Sequence, residues 1–309
     1  MQNKELAHKI IKRLNDVRQH KGIKNFSLLK LFSAALKEQG IQMKNLIPEK
    51  QTGEEVTFQS GELNLKGVVF RNGHSRKWIV GLHGYSSTKE SMANLIWPMY
   101  NLGFNLFLFD ARNHGASDDA LITFGINETD DVLAALHFLK KTYKPKSVGL
   151  YGASMGAFTA NRVALAAGAK WLKRHKVKFV ISDSTYDNVY ELMKNLIITN
   201  FPVAKGIATH LIDDIFTVYD EKGIDLKTGN LKIDAIMCDK TIPSLFLHGR
   251  NDKVTSYQCS ENLVGWRQDI KGAHDEIEIF PDGPHVRSFM VNEEAYIKKI
   301  KDFLQKVGV

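Results

Sequence analysis

The stretch YGASMGAF, Tyr151 to Phe158, decides how the chain is to be read. It follows the apolar run SVGLYG and opens MGAFTANRVALAAG, so it stands where a strand hands over to a helix. Glycines two residues on either side of Ser154 remove the side chains that would collide in a sharp turn. Such a turn lifts the serine hydroxyl into the open. The plain alternative is a serine that only caps the helix, but strand before and helix after favour a nucleophile.

Outward from this turn, the runs KWIVGLHG, FNLFLFD, KFVISD, PSLFLHG and EIEIF repeat the pattern of short apolar strands buried on both faces. EVTFQS and LNLKGVVF read as an antiparallel pair at a sheet edge. Helical patterns lie between them, at Glu90 to Leu102, Glu128 to Tyr143, Met155 to Ala167, Tyr257 to Ile270 and Asn292 to Val307. Strands alternating with helices predict an α/β fold with a mostly parallel, doubly wound sheet.

Two segments break the alternation. Residues 1–54 form an N-terminal helical extension, with helical patterns in LAHKIIKRL and FSLLKLFSAAL, ahead of a main domain over 55–309. Nearly 60 residues, about 184–241, separate KFVISD from PSLFLHG, far more than such a connection needs. Val189, Leu192, Met193, Leu196 and Ile197 share one helical stripe there, and Ile207, Leu211, Ile215 and Val218 another. This insertion is expected to be a helical cap over the carboxyl ends of the strands, where open α/β sheets bind ligands. Leu192, Met193, Phe201, Ile215 and Phe216 would then face an apolar acyl group or pack on the main domain.

Composition narrows the function. The 309 residues are 43% hydrophobic and 25% charged, as in ordinary globular enzymes. No apolar run is long enough to span a bilayer and residues 1–25 lack a signal-peptide centre, so a cytoplasmic location is expected. The net charge of +8 is concentrated in residues 1–50, which hold eleven Lys/Arg against four Asp/Glu. A solvated helical face is the first reading of this segment and weak contact with a membrane surface the second. Nucleic acid is not expected as a partner, because no recognition motif accompanies the charge. Cys238 and Cys259 form neither a CxxC pair nor part of a zinc-spaced cluster, so reduced, buried thiols, no metal and no cofactor are expected.

A serine nucleophile needs a base and a carboxylate that holds the base. HGRNDKV offers Asp252 after one late strand, and GPHVRS offers His285 after the last. Imidazole suits the task because its ordinary pKa lies near neutrality. The pieces LHGYSS, FDARNHGAS, YGASMGA, LHGRNDKV and GPH, in this order, resemble the α/β-hydrolase superfamily over about residues 55–309. The likeness is to single-domain serine hydrolases of esterase and lipase type, near the BEM46-like and prolyl-oligopeptidase-like branch. It implies a catalytic triad of Ser154, Asp252 and His285, and an oxyanion hole made by the backbone N–H groups of Tyr85 and Met155. The single HG before Tyr85 resembles the class that accepts apolar acyl groups. The same resemblance makes His83, in the HG turn, a shaping residue with little claim to be the base. His114 and His248 read as structural. Asn113 stands where the related DxRGHGxS form has glycine, and Asp110, Arg112 and Asn113 read as structural as well.

Asp183, ending FVISD, competes with Asp252 for the role of acid; its alternative tasks are capping the helix that begins near Asp187 or anchoring the insertion. Three functions follow in order: a carboxylesterase or small lipase acting on a small-molecule ester through an acyl-enzyme, a peptidase or amidase, and a non-catalytic binding module. Phosphate binding by a GxxxxGK[ST] loop has no support in the sequence.

Overall fold

The structure is a computed structural model, and the residues it describes are 2–17, 45–48, 51–200 and 205–309. The expected segment FSLLKLFSAAL and Phe201 lie outside them.

Eight strands form one sheet: β1 (Glu54–Ser60), β2 (Leu63–Phe70), β3 (Lys77–Leu82), β4 (Asn105–Phe109), β5 (Ser147–Ala153), β6 (Val177–Asp183), β7 (Ser244–Gly249) and β8 (Glu276–Phe280). Their spatial order is β1-β2-β4-β3-β5-β6-β7-β8. β1 and β2 make the antiparallel edge pair and β2 meets β4 antiparallel, while β3 to β8 run parallel. The apolar runs are long because both faces of these strands are covered, with alternate residues going to opposite sides. Ile79, Leu106, Leu108, Tyr151 and Ile181 join one core layer. Trp78, Val80, Phe107, Phe109 and Leu150 join the other.

The helices are α1 (Gln2–Asn15), α2 (Lys89–Asn101), α3 (Glu128–Tyr143), α4 (Met155–Ala166), α5 (Ala169–Arg174), α6 (Val189–Asn200), α7 (Lys205–Asp220), α8 (Leu231–Ile236), α9 (Gln258–Arg267), α10 (Ser288–Val291) and α11 (Glu293–Lys306). α2 supplies Met92, Ile96 and Met99 to the first layer, and α11 supplies Ile300 and Phe303. α3 and α4 cover the second layer, through Val132, Leu136, Ala160 and Val163. The short helices α5, α8 and α10 go beyond the sequence reading, and α9 stops three residues before Ile270.

A third cluster unites the insertion with the N-terminal helix. Ala7, Ile10 and Ile11 of α1 pack with Leu192, Met193, Ile212, Ile215 and Phe216 of α6 and α7 against Phe124, Met155, Phe158 and Tyr186. Leu192, Ile215 and Phe216 pack in this layer, and Met193, also part of it, lines a cavity of about 260 Å³ with Leu196, Ile197, Tyr85 and Ser86. No insertion residue is among those described as lining the cavity in front of Ser154.

Candidate active site

Ser154 follows β5 and immediately precedes α4, at φ 51° and ψ −114°. Few non-glycine residues are held in this left-handed region. The neighbouring backbone imposes it. A Cβ on Gly152 would sit 2.2 Å from the carbonyl oxygen of Gly156, and one on Gly156 would sit 2.1 Å from that of Leu82, so only glycine fits at either position. The result is a tight elbow with Ser154 at its apex, 9% exposed.

The carboxyl ends of β7 and β8 bring up the partners. Ser154 Oγ lies 3.0 Å from His285 Nε2, and His285 Nδ1 lies 2.7 Å from Asp252 Oδ2. A carboxylate only accepts, so Nδ1 carries the proton and Nε2 is free to accept the serine hydroxyl. The backbone N–H groups of Val254 and Thr255 donate to Asp252 Oδ1, each at 2.9 Å. Burial alone would raise the Asp252 carboxyl, but hydrogen bonds from His248 and His285 and the Thr255 N–H outweigh it and hold the group well below the usual carboxylate range.

His248 is more than a packing residue, which the sequence reading missed. Its Nε2 lies 3.1 Å from the Thr255 carbonyl oxygen, which can only accept, so this nitrogen bears the proton. Its Nδ1 accepts from the Ser260 hydroxyl at 2.7 Å. Nε2 is also 3.2 Å from Asp252 Oδ2, so its proton is shared between the two acceptors and His248 is a second imidazole on the same carboxylate oxygen. The four-residue spacing in HGRND was the available signal.

Asp183 is not within the hydrogen-bonding set of His285. It is fully buried, accepts from the hydroxyls of Ser184 and Tyr296, and is pushed up by burial. The capping expected of it falls to Asn188, whose Oδ1 accepts from the Tyr190 and Glu191 N–H groups at the start of α6.

His83 and His114 hold the HG turn. The Ala111 N–H donates to His83 Nε2 at 2.9 Å, leaving Nδ1 to donate to the Gly84 carbonyl at 2.8 Å. The Ser86 N–H donates to His114 Nε2 at 3.2 Å, and His114 Nδ1 donates to the Arg112 carbonyl at 2.8 Å. Both rings are fixed in one tautomer on either side of Tyr85. Gly84 lets this turn close on the elbow, since a Cβ there would already be 3.3 Å from Ser154 Cβ.

Among the described residues nothing accepts from the backbone N–H of Tyr85, and Met155, first in α4, has no intrahelical partner for its own. Unpaired N–H groups at this depth are uncommon. Tyr85 follows Gly84, which closes on Ser154, and Met155 directly follows Ser154. The Tyr85 hydroxyl, pushed up to about 12 by burial, donates to the Leu14 carbonyl at 2.7 Å and ties the turn to α1. Asn113 at φ 60° occupies the left-handed region that asparagine tolerates, and its Nδ2 donates to the Asn15 carbonyl at 2.8 Å. Asp110 accepts from Lys89 Nζ, and Arg112 makes a two-pronged pair with Asp131, so both act structurally.

A cavity of about 300 Å³ opens in front of Ser154 and His285, walled mainly by Met92, Leu95, Phe289 and Met290. The arrangement presents a hydroxyl with a proton acceptor, a buried carboxylate behind that acceptor, two free N–H donors and an apolar chamber. Among the described residues, no group of three His, Cys, Asp or Glu side chains is placed to hold a metal, and no helix is long and apolar enough to cross a membrane. Cys238 and Cys259 are free thiols, not in a disulfide, and half-buried, and burial pushes the Cys259 thiol up to about 12.

The comparisons agree with this architecture. Residues 77–205 match a family model for the alpha/beta hydrolase fold. The chain is 26% identical over 255 residues to the uncharacterized protein YqkD of Bacillus subtilis, covering 79% of this chain and 76% of that one. A Pyrococcus furiosus esterase superposes with a TM-score of 0.65 at 22% identity, over 88% of this chain and 93% of that one. An acylaminoacyl peptidase of Pyrococcus horikoshii gives 0.60 at 15% identity, over 89% and 43%. Elbow, sheet order and these matches give the chain the α/β-hydrolase fold.

Proposed function

We propose that the protein is a serine hydrolase of carboxylic esters, a carboxylesterase or small lipase favouring apolar acyl groups. The carrying observation is the chain Ser154 Oγ, His285, Asp252, with its 3.0 and 2.7 Å links, opening onto an apolar cavity beside two unpaired N–H groups. In this reading His285 Nε2 takes the Ser154 proton as Oγ attacks the ester carbonyl, and Asp252 stabilises the imidazolium. The carbonyl oxygen, now negative, accepts from the Tyr85 and Met155 N–H groups, which need no reorganisation to meet it. His285 returns the proton to the leaving alcohol, and water repeats the sequence on the acyl-enzyme.

A panel of p-nitrophenyl esters of rising chain length, beside aminoacyl and peptidyl anilides, tests the reaction class. Ester turnover should dominate. Ser154→Ala should lower kcat by about 10⁴ to 10⁶ in a folded protein. Retained turnover in the pure variant would remove Ser154 from the nucleophile's role, and anilides outrunning esters would replace the esterase reading with the amidase one.

A further inference from the structure

The cavity in front of Ser154 carries one fixed charge that ester cleavage itself does not use. Arg287 lines it and is exposed to solvent, and among the described residues its guanidinium has no hydrogen-bond or ion-pair partner. No Asp or Glu lines the cavity to offset that charge. Carboxylates close in sequence do not turn to it either: Glu293 accepts from the N–H and Nδ2 of Asn45, and Asp282 makes no pair with it. The main chain beneath Arg287 is held firmly. Its N–H donates to the Pro284 carbonyl at 3.0 Å, and its carbonyl accepts from the Met290 and Val291 N–H groups at 2.9 and 3.2 Å. Val286, between it and His285, donates its N–H to Ser184 Oγ at 3.0 Å. Two peptide units separate the Cα atoms of His285 and Arg287, at most about 7.6 Å. An arginine that needed only hydration has the whole surface to occupy; this one is anchored beside the base, on the chamber that takes the substrate.

The chemistry of the missing partner follows from the guanidinium. It stays protonated and presents a planar fork of donors that matches a carboxylate. Ser87, half-buried, and Ser91, exposed, line the same cavity, and their hydroxyls have no partner among the described residues, so they add neutral donors within reach of a ligand. One positive charge balances one negative charge, whereas a phosphate monoester brings about −1.5 to −2. Resting on the ester-hydrolase reading and deepening it, we propose that Arg287 is a specificity residue for esters that carry a carboxylate a few carbons from the bond to be cleaved. Met92, Leu95 and Phe289 hold the hydrocarbon between the two groups.

The carboxylate can belong to either half of the ester, so the experiment has two arms. One compares ethyl half-esters of dicarboxylic acids with ethyl alkanoates of the same carbon count, the chain lengthened carbon by carbon. The other compares acetate esters of hydroxy acids with alkyl acetates of the same length. Acid release at constant pH follows both. In at least one pair the wild-type protein should favour the carboxylate ester roughly tenfold in kcat/KM at low salt, and the arm in which it does so names the half that lies toward Arg287. Arg287→Gln, checked for folding by its melt, should bring that ratio to about one or below, because the carboxylate then gives up hydration without a partner. Arg287→Lys should keep part of the preference, through charge without the fork. A ratio near one or below for every wild-type pair overturns the proposal while leaving the ester reading intact, and needs no variant. A preference that survives Arg287→Gln also overturns it. Failure to cleave any ester of either arm, charged or neutral, would instead remove the ester reading, and this inference with it.

Discussion

Asp183 ends β6 and Asp252 lies in the loop just past the neighbouring β7, and their surroundings give them opposite tasks. Asp252 Oδ2 receives His285 and His248, and the single proton of the Thr255 hydroxyl is divided between it, at 2.9 Å, and the Ser184 carbonyl, at 3.0 Å. In Asp252→Asn the amide no longer has two equivalent acceptor oxygens, and an NH₂ facing His285 favours the tautomer whose Nε2–H cannot accept from Ser154. Turnover should fall by about 10⁴. Asp183 works one step removed. Its carboxylate takes the Ser184 hydroxyl, which leaves Ser184 Oγ to accept from the N–H of Val286 at 3.0 Å. Val286 follows His285 at φ 55°, a strained setting for a β-branched residue. Asp183→Asn should therefore cost no more than about 10² in kcat through misplacement of His285. The reverse ranking would make Asp183 the acid. Stability against pH separates the two again. Asp252 is depressed, so its contribution is present above about pH 4 and lost as pH falls further through its folded value. Asp183 is raised, so its contribution is fully present below about pH 4 and lost as pH rises through its folded value. Melting curves should show the gap between wild type and Asp252→Asn closing in acid, and Asp183→Asn gaining on wild type toward neutrality.

The HG turn between β3 and α2 is held by groups far apart in sequence: His114 from the β4 loop, Ala111 through His83, and Leu14 from α1. Its sequence signal, LHGYSS, was legible as a turn beside the nucleophile through its resemblance to the HG turn of the related hydrolases, and the structure adds the close approach of Gly84 to Ser154. The tie to α1 was not, since nothing in the order of residues says which carbonyl a tyrosine hydroxyl will reach. The same limit hid His248 and Ser184, whose roles depend on strands β6 and β7 lying side by side. Short helices escaped for a different reason: α5, α8 and α10 span six residues or fewer, too short to display a helical period. Strands and long helices were legible because burial on both faces, or along one stripe, writes itself into the sequence. Tyr85→Phe separates the turn's backbone from its side chain. The N–H remains, whereas the Leu14 carbonyl loses its donor, so stability should drop by about 1–3 kcal/mol and kcat by less than about tenfold. A folded Tyr85→Phe protein with no activity would mean that the hydroxyl itself enters the chemistry.

Among the described residues, α1 and the insertion's helices α6 and α7 share one core layer with the main domain. Their amphipathic stripes were legible, but a stripe shows that a face is buried without showing against what. Of the two roles expected for the insertion's apolar residues, Leu192, Ile215 and Phe216 take packing, while Met193, Leu196 and Ile197 line a cavity beside Tyr85. α1 fills the groove beside α7, with Ala7, Ile10 and Ile11 buried against Ala208, Ile212 and Ile215, and Asn15 joins it to Ile122 and Tyr219. Lys4 pairs with Glu221 at the far end, an exposed contact of small weight. Burying one isoleucine or valine side chain contributes about 1.5–3 kcal/mol. Ile10, Ile11 and Val17 together thus weigh about 5 kcal/mol or more, comparable with the roughly 5–15 kcal/mol that holds a whole domain folded. Deleting residues 1–17 should then lower the melting temperature sharply and expose a dye-binding apolar face on α6 and α7. Ile11→Ala makes the same test with the chain intact. It leaves every hydrogen bond to Asn15 and Tyr85 in place, and should cost about 2–5 kcal/mol by emptying its site in the core. Melts of the two proteins that match wild type would show α1 to be an appendage, and the extension would have to be understood through its charge instead.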